Sequence, residues 1–392
     1  MDYQKQAEQV IMKTYNRFPV ILERGEGVYL YDTNNKKYLD FGSGIGVFAL
    51  GYKQEAYNQA LKDQIDRLIH TSNLYYNVPA IEAATKIVNS TGLDKVFFTN
   101  SGTEAIEGAI KLARKYAYEK DSTKQYEIIA MEHSFHGRSQ GALSVTGTKK
   151  YREGMIPNGI SATFARFNDL EDVKQKITDK TCAIITEVVQ GEGGVYPAIQ
   201  EFLQGLRQLC DEHDILLIFD EIQCGMGRCG TMYAQEQYGV KPDIMTLAKA
   251  LGCGVPVGAF VASKKCSATL VAGDHGTTYG GNPLATCAVS TVYDLYEQFH
   301  ILDHVKEMSQ YLNDCLEQLT NTYDGIKEHR GIGLMHGLEL DTSVPVTDVI
   351  TKALEKGLIV LSAGNNTLRL LPPLVIEKQH IDEMIAIIKT CF

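Results

Sequence analysis

Residues 215–220 are ILLIFD and residues 243–248 are DIMTLA, two short and almost continuously apolar runs. A run of this kind is typical of a strand that is buried on both faces, whereas a strand with one exposed face alternates apolar and polar residues. Four further runs have the same character, at residues 95–99, 126–131, 182–187 and 257–263. The sequence therefore predicts a mostly parallel sheet that is built from these six segments.

Segments of helical length separate these runs. In residues 104–120, EAIEGAIKLARKYAYEK, apolar residues recur at the spacing of one helix face. Strand and helix alternate in this way from about residue 80 to residue 290. Such alternation predicts an α/β domain of three layers, with helices on both faces of the sheet.

The pattern changes after about residue 290. Long helical segments come first, and the alternating stretch GIGLMHGLEL follows at residues 331–340, which together predict a smaller α+β domain. Residues 27–41 resemble a hairpin around Asn34–Asn35. We predict three parts, namely an N-terminal segment that packs with the small domain (1–50), a large domain (51–289) and a small C-terminal domain (290–392).

The composition limits the possible functions. The chain has 392 residues and a formal net charge of −10, which disfavours a broad electrostatic grip on nucleic acid or anionic lipid. No apolar run approaches the roughly 18–20 residues of a membrane span, and the first residues lack a secretory signal pattern. Nine cysteines at scattered spacings predict reduced thiols, no metal site and a cytoplasmic protein.

A possible phosphate site lies in residues 99–105, TNSGTEA, where a predicted strand meets a predicted helix. The first N–H groups of a helix have no partner inside the helix, and its dipole is positive there, so this point can hold an anion. Gly102 would allow close approach to the backbone, and Ser101 and Thr103 can add hydroxyl donors. The alternative is a simple helix cap, because serine and threonine are common at that position.

A carboxylate is expected at the edge of the sheet. Asp220 ends an apolar strand, and ligands of α/β proteins bind at the carboxyl ends of the strands. If a pyridine ring lies there, Asp220 could hold its nitrogen protonated by a charge-assisted hydrogen bond, and Gln223 could reach a ring hydroxyl. The alternative role for Asp220 is to cap the turn that follows it.

A reactive lysine is expected at the end of the next strand. Lys249 follows an apolar run and precedes a glycine-rich turn, and these flanks would desolvate its ammonium group and lower its pKa. A neutral amine is what a Schiff base with an aldehyde requires. A phosphate cradle, a carboxylate for a ring nitrogen and a desolvated lysine together match the three handles of pyridoxal 5′-phosphate.

With these residues in place, the sequence resembles the class III aminotransferases, which are pyridoxal-phosphate enzymes of fold type I. The likeness covers about residues 20–385. The motifs that carry it are SGTEA (101–105), SFHGR (134–138), EVVQGEGG (187–194), FDEIQCGMGR (219–228), TLAKALG (246–252), HGTTYGGNPLA (275–285) and LRLLPPL (368–374).

The resemblance implies a role for each of several residues. Lys249 would bind the cofactor aldehyde and then shuttle a proton between the substrate carbon and the cofactor carbon. Asp220 would keep the pyridine nitrogen protonated, and Phe135 would stack on the ring face. The backbone of Gly102 and Thr103 would hold the phosphate.

The resemblance also implies an assembly. Thr278 would reach the phosphate of the partner subunit's cofactor, so the active unit would be a homodimer with active sites at its interface. Thr277 would lie near the substrate, and Glu187 would support Gln223 and the ring. His136, in the SFHGR motif, is expected only to shape the site.

Two arginines would recognise the substrates. Arg138 would clamp the α-carboxylate of a substrate that reacts through its distal amine, and Arg369 would bind the α-carboxylate of glutamate. Glu192 would pair with Arg369 while the first substrate is present and would swing away for glutamate. Arg138 as a surface residue and Glu192 as a structural partner are the alternatives.

The implied reaction moves the distal amino group of an acylated basic amino acid, N2-acetylornithine above all, to 2-oxoglutarate. The products would be glutamate and N-acetylglutamate 5-semialdehyde. Phe48 stands where the family often has asparagine, and an aromatic ring there would reshape the acyl pocket. The alternatives are an ornithine, succinylornithine or GABA aminotransferase, an aminomutase or racemase of the same fold, and a binding protein without activity.

Overall fold

The computed structural model describes residues 3–124, 126–155 and 160–392. The strands of this part of the chain are β1 Leu22–Glu26, β2 Tyr29–Asp32, β3 Lys37–Asp40, β4 Lys95–Thr99, β5 Glu127–Met131, β6 Ala162–Ala165, β7 Thr181–Glu187, β8 Val189–Gln190, β9 Tyr196–Pro197, β10 Leu216–Asp220, β11 Ile244–Leu247, β12 Gly258–Ala262, β13 Ile326–Ile332, β14 Met335–Leu340, β15 Leu358–Ile359, β16 Leu361–Ala363 and β17 Thr367–Leu370.

The helices of the same residues are α1 Tyr3–Val10, α2 Ser43–Gly46, α3 Glu55–Arg67, α4 Val78–Thr91, α5 Gly102–Lys120, α6 Gln140–Ser144, α7 Lys149–Arg152, α8 Leu170–Lys176, α9 Gln200–Glu212, α10 Pro283–Gln298, α11 Ile301–Thr322, α12 Val346–Glu355 and α13 Lys378–Ile388. Two short 3-10 turns cover Ala234–Tyr238 and Lys249–Leu251. None of these helices is long and apolar enough to cross a membrane.

The central sheet contains seven strands in the order β4-β12-β11-β10-β7-β5-β6. The strands from β11 to β6 are parallel to their neighbours, and β12 runs against both β11 and β4. Each of the six apolar runs in the sequence forms one of these strands. The prediction of a mostly parallel sheet is therefore confirmed.

Strand β10 shows why the sheet has helices on both faces. Its residues are all buried, and successive side chains point to opposite sides of a strand. Leu216 and Ile218 belong to the core that packs under α5. Leu217 and Phe219 belong to the core that packs under α9 on the other face. This arrangement confirms the predicted three-layer α/β architecture.

Two smaller sheets accompany the central one. Strands β13, β14, β17 and β16 form an antiparallel sheet in the C-terminal part of the chain. Strands β2 and β3 form the predicted hairpin, and β15 pairs with β3 in parallel, with Leu358 opposite Leu39. The first and last parts of the chain thus share a sheet. Helix α10 runs across residue 289, and the domain boundaries at residues 50 and 289 stay a prediction.

Arg228 joins the large sheet to the C-terminal sheet. It lies in the turn after β10 and is almost fully buried. Its Nη1 donates to the carbonyl oxygens of Leu334 at 2.9 Å and Pro372 at 2.6 Å, which flank β14 and β17. Burial lowers the pKa of Arg228 to about 10, because it disfavours the charged guanidinium. The two carbonyl dipoles offset part of the cost of burying that charge. The contact fixes β17 relative to the end of β10.

Candidate active site

The carboxyl ends of β4, β10 and β11 border a cavity of about 500 Å³. Parallel strands end at the same edge of a sheet, so the residues that follow them meet there. The predicted site residues that line the cavity are Ser101, Gly102, Thr103, Phe135, Arg138, Glu187, Glu192, Asp220, Gln223 and Lys249. The edge of the sheet thus brings together residues that are up to 148 positions apart, as Ser101 and Lys249 are.

Asp220 is the last residue of β10 and is buried at the floor of the cavity. Its Oδ2 accepts a hydrogen bond from Nδ1 of His136 at 2.7 Å. Its Oδ1 accepts from the backbone N–H of Ile222 at 3.1 Å and from the Thr246 hydroxyl at 3.3 Å. The carboxylate is therefore held from two sides in one orientation, as a partner for a cationic ring nitrogen must be.

Lys249 begins the 3-10 turn after β11, and its side chain borders the cavity. Its φ angle is +51°, which a residue other than glycine adopts only at a cost in free energy. Burial lowers the pKa of Lys249 to about 8, although the carboxylates of Glu192, Asp220 and Glu187 favour the ammonium form. The amine is thus far more often neutral at physiological pH than that of an ordinary lysine, as predicted from its apolar flanks.

Helix α5 begins at Gly102, which lines the cavity together with Asn100 and Thr103. Ser101 is its N-cap, and the serine hydroxyl accepts the N–H of Glu104 at 3.3 Å. The N–H groups of Gly102 and Thr103 belong to the first turn and have no acceptor within the helix. A Cβ atom at Gly102 would lie 2.9 Å from Cδ1 of Ile222, so a larger residue would crowd this turn. Residues 101–103 can therefore cap helix α5 and bind an anion at the same time.

Glu187 ends β7 beside Asp220 in the parallel register of the sheet. Burial raises its pKa well above the usual value, and the charge of Asp220 adds to this effect, while the Phe135 N–H and Lys249 oppose it. Its Oε2 is buried and has no hydrogen-bond partner in the described part of the chain. Such an atom is expected to meet a polar group of a ligand.

Arg369 lies on β17 and reaches the cavity wall from the C-terminal sheet. Its Nη1 donates to Oε1 of Glu192 at 2.7 Å and to Oε1 of Gln223 at 3.2 Å. Burial is the largest single effect and would raise the pKa of Glu192, but the charge and hydrogen bond of Arg369, together with Lys249 and Gln223, outweigh it and the net pKa is lowered. The predicted pairing of Glu192 with Arg369 is present. Gln223 contacts this pair, whereas it was expected to be supported by Glu187.

Arg138 has the opposite environment. Its side chain is exposed at the mouth of the cavity, and its guanidinium stacks on the Tyr151 ring with 3.7 Å between Cζ and the ring centroid. No carboxylate pairs with it among residues 3–124, 126–155 and 160–392. Phe135 lines the cavity nearby. The two predicted arginines therefore differ, since Arg369 is neutralised by Glu192 and Arg138 has no acidic partner in the part of the chain that the structure describes.

Thr277 and Thr278 lie outside the cavity lining of this single chain. The Thr277 hydroxyl accepts from Nδ2 of Asn100 at 3.2 Å and from the N–H of Gly280 at 3.1 Å. Thr278 is exposed. Their proposed contacts with substrate and with a partner's cofactor stay predictions.

His136 is the residue whose importance the sequence interpretation missed. It is buried, and its Nε2 has no partner within the described residues, while Nδ1 binds Asp220. A signal was available, because a histidine that follows the ring-stacking position in SFHGR lies close to the cavity. Its partner could not be read from the sequence, since 84 positions separate His136 from Asp220.

Comparisons with known proteins agree with this geometry. The family model described as aminotransferase class-III matches residues 10–392. An acetylornithine aminotransferase of Methanocaldococcus jannaschii is 48% identical over 374 residues, which is 95% of this chain and 94% of that protein. An acetylornithine aminotransferase of Aquifex aeolicus is 46% identical and covers 97% of this chain and 98% of its own length.

Solved structures show the same fold. The ornithine aminotransferase of Toxoplasma gondii superposes with a TM-score of 0.95 at 30% identity, covering 100% of this chain and 94% of that one. The N-acetylornithine aminotransferase of Stenotrophomonas maltophilia has a TM-score of 0.84 at 34% identity, with 96% of both chains covered. The chain belongs to the class III aminotransferases.

The protein is accordingly an enzyme that depends on pyridoxal phosphate, and its residues fit that cofactor. The first turn of α5 offers free N–H groups to a phosphate. Asp220 would offer a fixed carboxylate to the ring nitrogen, and Lys249 would offer an amine with a lowered pKa to the aldehyde. The buried and unpartnered Oε2 of Glu187 shows that the cavity wall still has hydrogen-bonding capacity for a polar ligand.

Proposed function

We propose that this enzyme transfers the distal amino group of N2-acetylornithine to 2-oxoglutarate, which yields glutamate and N-acetylglutamate 5-semialdehyde. The observation that carries the proposal is the contrast between Arg138, whose donors are free, and Arg369, whose charge is neutralised by Glu192. The names of the relatives from Methanocaldococcus jannaschii and Aquifex aeolicus point to the same substrate.

The contrast between the arginines suits two substrates with different charges. Acetylornithine carries one carboxylate, far from the reacting amine, and one free guanidinium is sufficient to bind it. 2-Oxoglutarate carries two carboxylates, and it needs a second guanidinium close to its reacting carbon. Release of Glu192 from Arg369 would supply that group, because a planar guanidinium binds a carboxylate in bidentate fashion.

The residues of the floor perform the chemical step. When bound, pyridoxal phosphate supplies an electron sink that stabilises negative charge at the substrate carbon. The Lys249 amine removes a proton from that carbon and returns one during the reaction, as a general base and acid with a pKa near 8 can. Asp220 keeps a positive charge at the ring nitrogen, and His136 keeps Asp220 oriented.

We propose a homodimer with active sites at the interface. Leu74 and Tyr76 lie between α3 and α4 and are 86% and 98% exposed, and several other apolar residues of this stretch are also open to solvent. A contiguous apolar surface of this kind is expected to be covered by a partner. The Asn73 amide donates to the carbonyl oxygens of Thr277 and Gly280, so the 277–280 segment adjoins this surface. This location supports a role for Thr278 in the partner's site.

A cytoplasmic location is proposed on the same terms. All nine cysteines are free thiols, and seven of them are buried. Free buried thiols suit a reducing compartment.

An ornithine aminotransferase is the second candidate, because the Toxoplasma gondii enzyme of that name gives the higher TM-score of the two solved structures. A panel of initial rates with 2-oxoglutarate as acceptor separates the candidates. The amino donors are N2-acetylornithine, ornithine, N2-succinylornithine and GABA. We expect the largest kcat/KM for acetylornithine, and a larger value for ornithine would replace our proposal by the second candidate.

Two controls address the remaining alternatives. Omission of 2-oxoglutarate should abolish turnover beyond one equivalent of donor, whereas an aminomutase or racemase would continue. A binding protein without activity would show no turnover with any donor.

A further inference from the structure

The Tyr151 ring contacts both Arg138 and Phe135. The Arg138 guanidinium lies 3.7 Å from the centroid of the Tyr151 ring and 5.6 Å from that of Phe135. The rings of Phe135 and Tyr151 meet edge to face, with 5.9 Å between centroids and 84° between planes. Tyr151 itself does not line the cavity. Its ring nevertheless contacts two residues that do line the cavity, Arg138 and Phe135.

The backbone fixes Tyr151 in this place. Its N–H donates to the carbonyl oxygen of Thr148 at 3.1 Å, and the N–H of Thr148 donates to the carbonyl oxygen of Ser134 at 3.3 Å. The N–H of Gly147 donates to the Ser134 hydroxyl at 2.9 Å. The segment that carries Tyr151 is thus bonded to the residue that immediately precedes Phe135. The backbone at Tyr151 is thereby tied to the loop that carries Phe135 and Arg138.

A second contact braces the same loop. The Thr146 hydroxyl accepts the N–H of His136 at 3.0 Å. A Cβ atom at Gly147 would lie 2.1 Å from the carbonyl oxygen of Met131, so the two segments are in close backbone contact. Tyr151 therefore cannot shift relative to the loop of Arg138 without breaking several hydrogen bonds.

Stacking has a consequence for binding. An exposed arginine samples many rotamers. Binding of a carboxylate fixes one of them, and the loss of side-chain entropy weakens the binding. A cation over an aromatic face is held by the quadrupole of the ring, and the in-plane N–H groups of a stacked guanidinium remain free to donate. Among the described residues, the Tyr151 ring is the nearer of the two aromatic rings that contact Arg138, since the Phe135 ring lies 5.6 Å away.

We propose that Tyr151 is a positioning residue that holds the Arg138 guanidinium flat, with its donors free for the α-carboxylate of the amino donor. The proposal rests on the proposed function only in that the donor carries such a carboxylate. Tyr151 would thereby favour amino acids over simple amines, although it touches neither substrate nor cofactor.

The test compares two substitutions at one position. Tyr151→Phe keeps the ring and loses only the hydroxyl, whereas Tyr151→Leu removes the aromatic face. We expect Tyr151→Leu to raise KM for N2-acetylornithine by about three- to thirty-fold, with kcat little changed, and Tyr151→Phe to behave like the unaltered enzyme. Equal effects of both substitutions would overturn the proposal.

A matched substrate locates the effect. N-acetyl-1,4-diaminobutane is acetylornithine without the α-carboxylate, so its kcat/KM should be the same in the unaltered enzyme and in Tyr151→Leu. A parallel loss for both donors would show that Tyr151 acts on the cofactor or on the fold, and would refute our assignment. The visible absorption band of the bound cofactor should be unchanged in Tyr151→Leu.

A double-substitution cycle completes the test. Because Tyr151 acts through Arg138, adding Tyr151→Leu to Arg138→Ala should cause no further loss, while independent roles would give additive losses.

Tyr151→Gln carries the same expectations and serves if the leucine variant does not fold. If the donor panel favours ornithine, the cycle is repeated with ornithine and 1,4-diaminobutane, which again differ only in the α-carboxylate. The role of Tyr151 can therefore be tested even if acetylornithine is not the substrate.

Discussion

The two walls of the cavity are built in different ways. The floor comes from one sheet, in which Asp220 lies beside Glu187 and Thr246 through the register of parallel strands. The wall that we propose to bind carboxylates comes from separate parts of the chain. Arg138 projects from the loop after β5, and Arg369 projects from the C-terminal sheet and meets Glu192 from 177 positions away.

The difference separates chemistry from recognition. Strand register and backbone hydrogen bonds fix the floor, so its groups have little freedom and can be oriented before any ligand binds. The other wall depends on contacts between side chains, and its salt bridge between Arg369 and Glu192 can open when a ligand carboxylate replaces Glu192. We therefore expect changes in the floor to abolish turnover and changes in the wall to alter affinity.

The largest effect is expected for Lys249→Ala. Loss of the amine removes the proton carrier, and kcat should fall by on the order of 10⁴-fold. Stopped-flow measurement of the first turnover and mass spectrometry after borohydride trapping would check this, with the adduct found on the peptide of Lys249 in the unaltered enzyme. Lys264→Ala, at an exposed lysine, is the control. An adduct on any other side chain would contradict the description of the floor.

Asp220→Ala tests the other pole of the floor. The variant leaves the Nδ1 donor of His136 without its partner and removes the charge that supports the ring nitrogen. We expect kcat to fall on the order of 10²- to 10³-fold, as for loss of one preorganised electrostatic group in an active site. Asp324→Ala, at an exposed carboxylate before β13, should have no effect. A change confined to KM would show that Asp220 belongs to recognition.

The two arginines should separate the half-reactions. Hydrogen bonds to charged groups contribute roughly 1.5–3 kcal/mol, so Arg138→Ala should raise KM for acetylornithine by about 10- to 100-fold. Arg369→Ala should raise KM for 2-oxoglutarate to a similar degree and leave the acetylornithine half-reaction nearly intact, because Glu192 already neutralises Arg369 there. Single-turnover kinetics of each half-reaction would measure this. If both variants impair both half-reactions equally, the two arginines do not recognise different substrates.

The smallest effect concerns pH. The lowered pKa of Lys249, about 8, means that raising the pH from 7 to 9 increases its neutral fraction by about tenfold, after which the fraction levels off. A lysine with an ordinary pKa would rise by about a hundredfold over that range and would not level off. The rate of recombination of cofactor-free protein with pyridoxal phosphate should follow the first curve. The second curve would show that the floor does not desolvate Lys249.

Much of the floor could be predicted because the evidence for it is local in the chain. Asp220 is the last residue of one apolar run, Lys249 directly follows the next, and Gly102 opens a helix after a third. Their neighbours in the chain were therefore enough to identify the sheet edge at which the three residues meet. The exposed or buried state of the arginines could not be predicted in the same way. Stacking of Arg138 on Tyr151 depends on how residues 146–151 fold back onto Ser134.

The amino-acid sequence by itself determined the fold class, six of the seven strands of the central sheet and the residues that meet at its edge, because hydrophobic pattern and strand ends are properties of neighbouring residues. Only the tertiary structure decided that His136 contacts Asp220, that Gln223 contacts Arg369, and that the Arg138 guanidinium lies over the Tyr151 ring. The physical reason is that each of these contacts joins side chains whose separation is set by packing and not by spacing along the chain.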